Sequence, residues 1–331
     1  GNLTCSGGVV KTGGMDNLTH SMVGAVLGQI GLKRTSGLAM PTIIIAANIP
    51  DIDATCTLLG TQALALRRGL THGPIAMIVL PLILTAIMVA FDRWQAKRGT
   101  RPETRPPVNI VWLWVVAQMG TLSHPAFDWL NSYGIRLLSP FSDQWFHGDT
   151  LFIIDIWLWA LLIGGYLWAR GGERTGPAPM MHRARIIATA ACAYIFVNGL
   201  ITGSAEAKAA AWLRAQGREP DLGVANPRPF APWSREMLWR GDGRFGGFPY
   251  NLATGLEADA GAAEGMPTGM DDPGVERARQ RDGDARAFLF WSRMPVAQRA
   301  ENGDLLISDQ RFAGRGASAS FSVQVPAQAL R

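Results

Sequence analysis

Long apolar runs separated by short basic loops dominate the first two thirds of the chain, and no comparable run follows Thr202. Four runs are candidate membrane spans, at residues 73–91, 108–122, 150–169 and 184–202. A helix that crosses a bilayer needs about 20 such residues. Two earlier runs, 18–32 and 38–49, are shorter, and we expect a helical hairpin that enters the bilayer obliquely or packs against the longer helices. The pattern predicts a mainly α-helical, polytopic membrane protein.

The composition changes after Thr202, where Gly, Pro, Arg and Asp replace the apolar runs. Residues 204–216 are Ala-rich and predict a juxtamembrane helix. Patterns typical of strands occupy residues 287–291, 304–308 and 318–325. We therefore expect a small C-terminal strand-containing extramembrane domain, with residues 255–284 as a flexible part. The predicted parts are a disordered extension at 1–14, before the first methionine, a helical membrane domain at 15–203 and a partly β domain at 204–331.

Basic residues in the short loops predict how the chain is oriented in the membrane. Cytoplasmic loops carry an excess of Lys and Arg. We therefore assign Lys33, Arg34 and the loops 93–105 and 170–185 to the cytoplasm, and the opposite helix ends and the C-terminal domain to the periplasm. The net charge of +5 and the pI of about 9.4 are interpreted as topology signals rather than as a nucleic-acid-binding surface. Membrane lipids are the expected partners, and the oligomeric state stays open.

Histidine and aspartate side chains gather at the predicted periplasmic ends of these runs. His124 and Asp128 are four residues apart, so a helix places both on one face. The others on this side are His20, Asp51, Asp53 and His72. Any one of them alone is better explained by a structural role, but together they form a costly set of ionisable groups at a membrane edge. A metal ion would compensate that cost, and we expect all six as candidate ligands.

The types of ligand narrow the choice of metal. Imidazole and carboxylate groups without thiolate suit Zn²⁺, Mn²⁺ or Fe²⁺, with Zn²⁺ as the first choice. The three cysteines are scattered and show no Cys-x-x-Cys spacing, which argues against a thiolate zinc site. Asp149, on the same predicted side, is expected to orient a ligand histidine by bonding its other ring nitrogen.

Several motifs carry a resemblance to a known family. They are Leu-Thr-His-Ser at 18–21, Pro-Asp-Ile-Asp at 50–53, Arg-Gly-Leu-Thr-His at 68–72, Leu-Ser-His-Pro-x-x-Asp-Trp-Leu-Asn at 122–131 and Tyr-Gly-Ile-Arg-Leu-Leu at 133–138. Over residue 15 to about residue 169 the chain resembles the bacterial membrane-bound metal-dependent hydrolases, also described as LexA-regulated and inner-membrane-associated. The resemblance implies a multi-span inner-membrane protein with metal-dependent hydrolase activity and places the family's motif positions on the six candidate ligands.

One motif departs from the family pattern. Many relatives have His-Arg-Gly-x-Thr-His, whereas Arg67 stands at the first of these positions here. If that histidine is a ligand elsewhere, this protein has lost one ligand or uses a cation to bind an anionic substrate.

These observations predict a multi-pass protein of the bacterial inner membrane whose site faces the periplasm. Metal-activated water would hydrolyse an ester or phosphoester, with a lipid as a candidate substrate. Asp51 or Asp53 would act as the general base, and Arg67 or Arg68 would hold an anionic group. The alternatives are a non-enzymatic transporter or metal-handling protein with a His/Asp ion site, and a membrane scaffold with a structural metal. The sequence shows no internal repeat and carries the motifs at span ends, which disfavours the transporter.

Overall fold

The fold comes from a computed structural model that describes residues 16–313 and 321–330. The extension predicted at residues 1–14 lies outside these ranges. The described chain forms two compact units. The helical unit consists of residues 16–53 and 68–197, and the mixed unit consists of residues 54–67 and the described residues from Asn198 onward.

Helices form most of the regular structure as far as residue 215. They are α1 (Asp16–Gln29), α2 (Ala39–Ala46), α3 (Ala63–Leu66), α4 (Pro74–Lys97), α5 (Ile110–Trp129), α6 (Ile156–Gly172) and α7 (Pro177–Ala215). Further 3-10 helices lie at Leu32–Arg34, Ile49–Gln62 and Leu70–His72. The mostly helical fold that the sequence predicts is therefore confirmed.

Among the described residues, three helical stretches are long and apolar enough to cross a membrane, namely Ala39–Leu66, Pro74–Lys97 and Pro177–Ala215. The first is not a single rod, because α2 gives way to a 3-10 helix in which Gly60 has non-helical angles of φ 61° and ψ −132°. The 39 residues of α7 join the predicted span 184–202 to the predicted juxtamembrane helix in one element. The Ala-rich residues after Gly203 are strong helix formers, so the helix continues through them.

Two glycines let α1 and α5 approach α2 closely. A Cβ added at Gly24 of α1 would lie 3.0 Å from the Ile43 carbonyl oxygen, and one at Gly120 of α5 would lie 2.8 Å from the same oxygen. Small residues at such crossings are typical of helix pairs in membranes. One turn from each glycine stands a candidate ligand, His20 in α1 and His124 in α5. The crossings therefore set how close these two imidazole rings come.

We expect Gly120→Ala to destabilise the helical unit. The added methyl group would lie 2.7 Å from Ala46 Cβ, and overpacking of this kind typically costs about 1–3 kcal/mol. Gly164→Ala in α6 is the matched control, since nothing lies within 4 Å of its added Cβ and alanine is the better helix former. Thermal unfolding in detergent compares the two variants. A melting temperature for Gly120→Ala as high as that of the control would contradict the close crossing.

The described residues of the mixed unit form two antiparallel sheets. Its elements after α7 are β1 (Leu222–Pro227), β2 (Ser234–Gly241), β3 (Arg244–Asn251), β4 (Gly255–Leu256), α8 (Ala260–Glu264), β5 (Met266–Pro267), α9 (Pro273–Arg281), α10 (Gly283–Trp291), β6 (Pro295–Arg299), β7 (Leu305–Asp309) and β8 (Ser322–Val325). Strands β1 to β4 pair in order and β5 pairs with β3, while β6, β7 and β8 form the second sheet. Ala205 and Leu213 of α7 share a core with Trp239, Phe248 and Tyr250. The C-terminal sheet domain predicted from the sequence is thus present.

One strand prediction in this unit is wrong. Residues 287–291, predicted as a strand, lie in α10. The side chain of Asp282 accepts two backbone N–H bonds at the start of this helix, and the buried residues Ala285, Phe288 and Trp291 recur every three positions on one face. β7 confirms the strand predicted at 304–308, and β8 confirms the strand predicted at 318–325 over Ser322–Val325, while residues 318–320 lie outside the described ranges. The region expected to be flexible, 255–284, contains α8 and α9.

Candidate metal centre

Five histidine and aspartate side chains converge inside the helical unit. They come from α1, two 3-10 helices and α5, and are His20, Asp51, His72, His124 and Asp128. Ligand atoms of His20, Asp51 and His124 lie within 4.8 Å of one another, as do those of His72, His124 and Asp128. The three histidines and Asp128 are each at most 1% exposed. These buried groups could hold a metal ion.

The separations between the facing atoms match those between ligands of one metal ion. Nε2 of His20, His72 and His124 lies 3.4, 3.3 and 3.5 Å from a carboxylate oxygen of Asp128. His124 Nε2 is also 3.6 Å from Asp51 Oδ1. Charge-assisted hydrogen bonds would be shorter, at about 2.7–2.9 Å. Two atoms that each lie about 2.1 Å from a tetrahedral ion are about 3.4 Å apart.

The second ring nitrogens of His72 and His124 are bonded as in metal-binding histidines. His124 Nδ1 lies 2.7 Å from the Ala47 carbonyl oxygen, which can only accept, so Nδ1 carries the hydrogen and Nε2 of a neutral ring presents a lone pair. His72 Nδ1 is 2.9 Å from Thr71 Oγ1 and 3.5 Å from Asp53 Oδ2. Within the described part of the chain, Nε2 of His72 and of His124 makes no hydrogen bond. Both rings are therefore oriented to offer Nε2 to a cation.

The charge of the cluster also fits a cation. When ionised, Asp51, Asp53 and Asp128 carry three negative charges. Two arginines face them, namely Arg68, whose Nη2 lies 3.0 Å from Asp128 Oδ1, and Arg136, whose charge interacts with that of Asp53. With neutral imidazoles, an excess of negative charge is still buried, at a large desolvation cost. A divalent ion would compensate it. Imidazolium ions would do the same, but their bonds to carboxylates would be shorter than the separations observed.

Asp53, predicted as a ligand or base, lies on the far side of His72 from Asp128. Its Oδ2 accepts hydrogen bonds from the Arg68 backbone N–H and from Thr71 Oγ1, both at 2.8 Å. The same oxygen faces His72 Nδ1, while His72 Nε2 faces Asp128. This position favours orientation of His72 over direct coordination of an ion.

The predicted arginines are placed very differently. Arg68 is 4% exposed, and its Nη1 donates to Asn131 Oδ1 at 2.9 Å while Nη2 contacts Asp128. Its guanidinium also lies 4.8 Å from the centre of the Tyr133 ring. Arg68 is thus fixed among buried groups at the cluster. Arg67 ends α3 in the mixed unit and is only half-buried.

Asp149, predicted to orient a ligand, is buried in the loop after α5. It has a left-handed backbone, at φ 46°, a conformation that is uncommon for residues other than glycine. The next residue, Thr150, donates its backbone N–H to the Leu130 carbonyl at 2.8 Å. The loop is therefore tied to the chain just past Asp128.

Three groups at the cluster were not among the predicted site residues. Thr71 bonds both Asp53 and His72, Asn131 accepts from Arg68, and the Ala47 carbonyl fixes the His124 ring. Thr71 and Asn131 stand inside the quoted motifs, so the motifs carried a signal for them. Ala47 contributes its backbone carbonyl, so the sequence of side chains could not predict its role.

Comparison with known proteins identifies the family. Residues 15–205, more than half of the chain, match the family model described as YdjM inner membrane protein. The chain belongs to the YdjM inner membrane protein family. All five clustered side chains of this family member lie within the match. Searches of curated proteins and of solved structures gave no significant match. Family membership and the apolar helical stretches together support a location in the inner membrane.

Proposed function

We propose that this chain is a multi-pass inner-membrane hydrolase that uses a divalent metal ion to cleave an ester or phosphoester, with lipids as the first substrates to test. The proposal is carried by the convergence of three histidine Nε2 atoms on the Asp128 carboxylate at 3.3–3.5 Å. When bound, such an ion acidifies a water ligand and polarises an ester or phosphoryl oxygen. Zn²⁺ is the first choice, and Mn²⁺ and Fe²⁺ are the alternatives.

We assign one ion to each chain. His124 belongs to both groups of candidate ligand atoms, but its Nδ1 is bonded to the Ala47 carbonyl. Only Nε2 remains, and it can bind one ion. A single ion that draws on both groups uses His124 once and compensates the buried charge.

The side chains around the ion would act as a general base and as positioning residues. Asp51 Oδ1 lies 3.6 Å from His124 Nε2, beside the position of the ion, whereas Asp53 faces the other ring nitrogen of His72. We therefore assign Asp51 as the general base that takes a proton from the attacking water. Asp53 and Thr71 are positioning residues that hold His72 by its Nδ1. Arg68 positions Asp128 through its Nη2. Its predicted role in holding an anionic group stays a prediction.

The burial of the cluster supports a second candidate function. Each of the three histidines is at most 1% exposed, which suits a metal that is held or transported without turnover. A metal-handling membrane protein would bind the ion through the same side chains and would hydrolyse nothing. The two candidates therefore differ in catalysis and agree in metal content.

Hydrolysis by the purified full-length protein in nanodiscs distinguishes these candidates. On a panel of ester and phosphodiester lipids, we expect turnover that a chelator abolishes and that added Zn²⁺, Mn²⁺ or Fe²⁺ restores. Asp51→Asn should lower the rate by about 10²–10⁴-fold, as expected for loss of a general base. Asp143→Asn is the control, because that side chain is 80% exposed. Metal-loaded protein without turnover across the panel would favour the metal-handling function.

We further propose that the cluster and the C-terminal sheets face the periplasm. Within the helical unit, contacts tie the basic loops to one another: Lys33 Nζ bonds Glu173 at 2.6 Å, and the Gly37 N–H bonds the Pro107 carbonyl at 3.2 Å. The ligands lie at the other ends of the helices, since α1 and α4 run from the cluster toward a basic loop and α5 runs back. Loops rich in Lys and Arg stay in the cytoplasm, which supports this orientation.

Labelling with a membrane-impermeant maleimide in intact cells tests the orientation. In a background with the native cysteines changed to serine, Asp143→Cys and Asn302→Cys should react from outside, whereas Arg98→Cys should react only after the cells are opened. All three positions are exposed, so accessibility within the protein does not limit the reaction. Labelling of Arg98→Cys in intact cells would reverse the proposed topology.

A further inference from the structure

Three exposed apolar side chains lie together at one end of the first sheet of the mixed unit. Phe230 and Trp233 belong to the connection between β1 and β2, and Leu252 follows β3. The Leu252 N–H donates to the Trp233 carbonyl at 2.9 Å, which joins the two connections. The three residues are 66%, 48% and 53% exposed. Contiguous exposed apolar residues commonly mark an interaction surface, and we name this one the apolar tip.

The backbone of the apolar tip is held in an unusual conformation. Phe230 has a φ of 66°, which is unfavourable for a bulky side chain. Nη1 of Arg235 donates to the Pro232 carbonyl at 2.8 Å and holds the turn. In water, both the positive φ of Phe230 and the exposure of its ring are unfavourable. Strain of this kind clusters at functional surfaces.

A buried arginine fixes the apolar tip against α7. Arg235 is 0% exposed, and its Nη2 donates to the Asn198 carbonyl and its Nε to Thr202 Oγ1, both at 3.0 Å. The apolar tip is thus held beside the Asn198–Thr202 turn of a helix that is long and apolar enough to cross a membrane.

The length of α7 predicts the depth at which the apolar tip meets the bilayer. Arg185 marks the basic end of the apolar part of the helix. From Arg185 to Thr202 the helix rises by about 26 Å at 1.5 Å per residue. The hydrocarbon core of a bilayer is about 30 Å thick. If Arg185 lies at one surface, Thr202 and the apolar tip lie close to the opposite surface.

We propose that the apolar tip inserts into the headgroup region of the membrane and anchors the C-terminal sheets to the lipid surface. Trp and other aromatic residues concentrate at this depth, where the ring is apolar and the surroundings are partly hydrated. Arg228 flanks the apolar tip. Its Nε lies 3.9 Å from Glu236 Oε2, and its side chain is 44% exposed, so the guanidinium can also face anionic headgroups. The proposal depends on α7 as a membrane span and is independent of the hydrolase chemistry.

Site-directed fluorescence on the full-length protein tests this anchoring. Phe230→Cys and Asn302→Cys, each in the cysteine-to-serine background, are labelled with an environment-sensitive fluorophore. The proteins are placed in nanodiscs of phosphatidylethanolamine and phosphatidylglycerol, with or without a nitroxide-labelled lipid. Asn302 is the matched control because it is exposed in the same unit, in the turn between β6 and β7. Trp233→Cys is a second probe of the apolar tip.

We expect emission from both tip probes to shift to shorter wavelength and to lose intensity when the nitroxide lipid is present. The control probe should show neither change. Tip probes that behave like the control would overturn the proposal. A shift to shorter wavelength without quenching by the lipid would also overturn it, since the apolar tip would then be covered by protein, for example by a second copy of the chain.

Discussion

His124→Ala is expected to purify with little or no bound metal, whereas His182→Ala keeps the wild-type amount. His124 offers Nε2 to both groups of candidate ligand atoms, and the Ala47 carbonyl fixes its other ring nitrogen. Loss of a residue that merely orients a ligand typically weakens metal binding by about 10–100-fold. Loss of a ligand common to both groups should therefore weaken it by more than about 100-fold. Elemental analysis of protein purified in detergent measures the outcome.

The control for this experiment is another histidine of the same unit. His182 is exposed near the start of α7 and is not part of the cluster. If His124→Ala folds poorly, His72→Ala removes another ligand of the same ion and should also lower the metal content. Wild-type metal content in well-folded His124→Ala would show that the cluster is not the metal site.

Local patterns were sufficient to predict most helices. They failed where residues that favour a strand lie at the end of a capped, buried helix. The run 287–291 contains Phe288, Phe290 and Trp291, which favour a strand. The structure places it in α10 because Asp282 caps the helix and Ala285, Phe288 and Trp291 all reach the core. A short apolar run cannot by itself distinguish a strand from the end of a buried helix.

The candidate site was predictable in part for a similar reason. Helical geometry is enough to place His124 and Asp128 on one face, and their Nε2 and Oδ2 atoms are 3.5 Å apart. Asp51 and Asp53 look equivalent in the sequence, but they lie in a 3-10 helix. With three residues per turn, the side chains of residues two apart point in directions about 120° apart. One therefore faces His124 and the other faces Nδ1 of His72.

The role of Arg68 depends on features that no sequence pattern records. Its backbone is left-handed at φ 54°, and its side chain bonds Asp128 and Asn131 in the interior. From the sequence, Arg67 and Arg68 are equal candidates for the residue that holds an anionic group. The tertiary fold separates them, because the burial of a long side chain depends on what packs around it.

Arg68→Met is expected to destabilise the metal-free protein strongly and the metal-loaded protein much less. Removal of one partner of a buried ion pair typically costs about 3–5 kcal/mol, because the other charge stays buried without its countercharge. The residue left behind here is Asp128, which is 1% exposed. An ion bound to Asp128 and the histidines would supply the missing positive charge and would stabilise the folded state by mass action. The measurement is the melting temperature after chelation and after addition of Zn²⁺, Mn²⁺ or Fe²⁺.

Two further variants separate this coupling from a simple loss of packing. Arg174→Met, at an exposed position, should change neither melting temperature. Arg68→Lys keeps the charge but loses the planar fork that reaches both Asp128 and Asn131, so it should fall between wild type and Arg68→Met. If metal fails to rescue Arg68→Met, no cation reaches Asp128, and imidazolium ions must balance the carboxylates. Since the two explanations predict opposite responses to added metal, this variant decides between a metal centre and a buried ion-pair network.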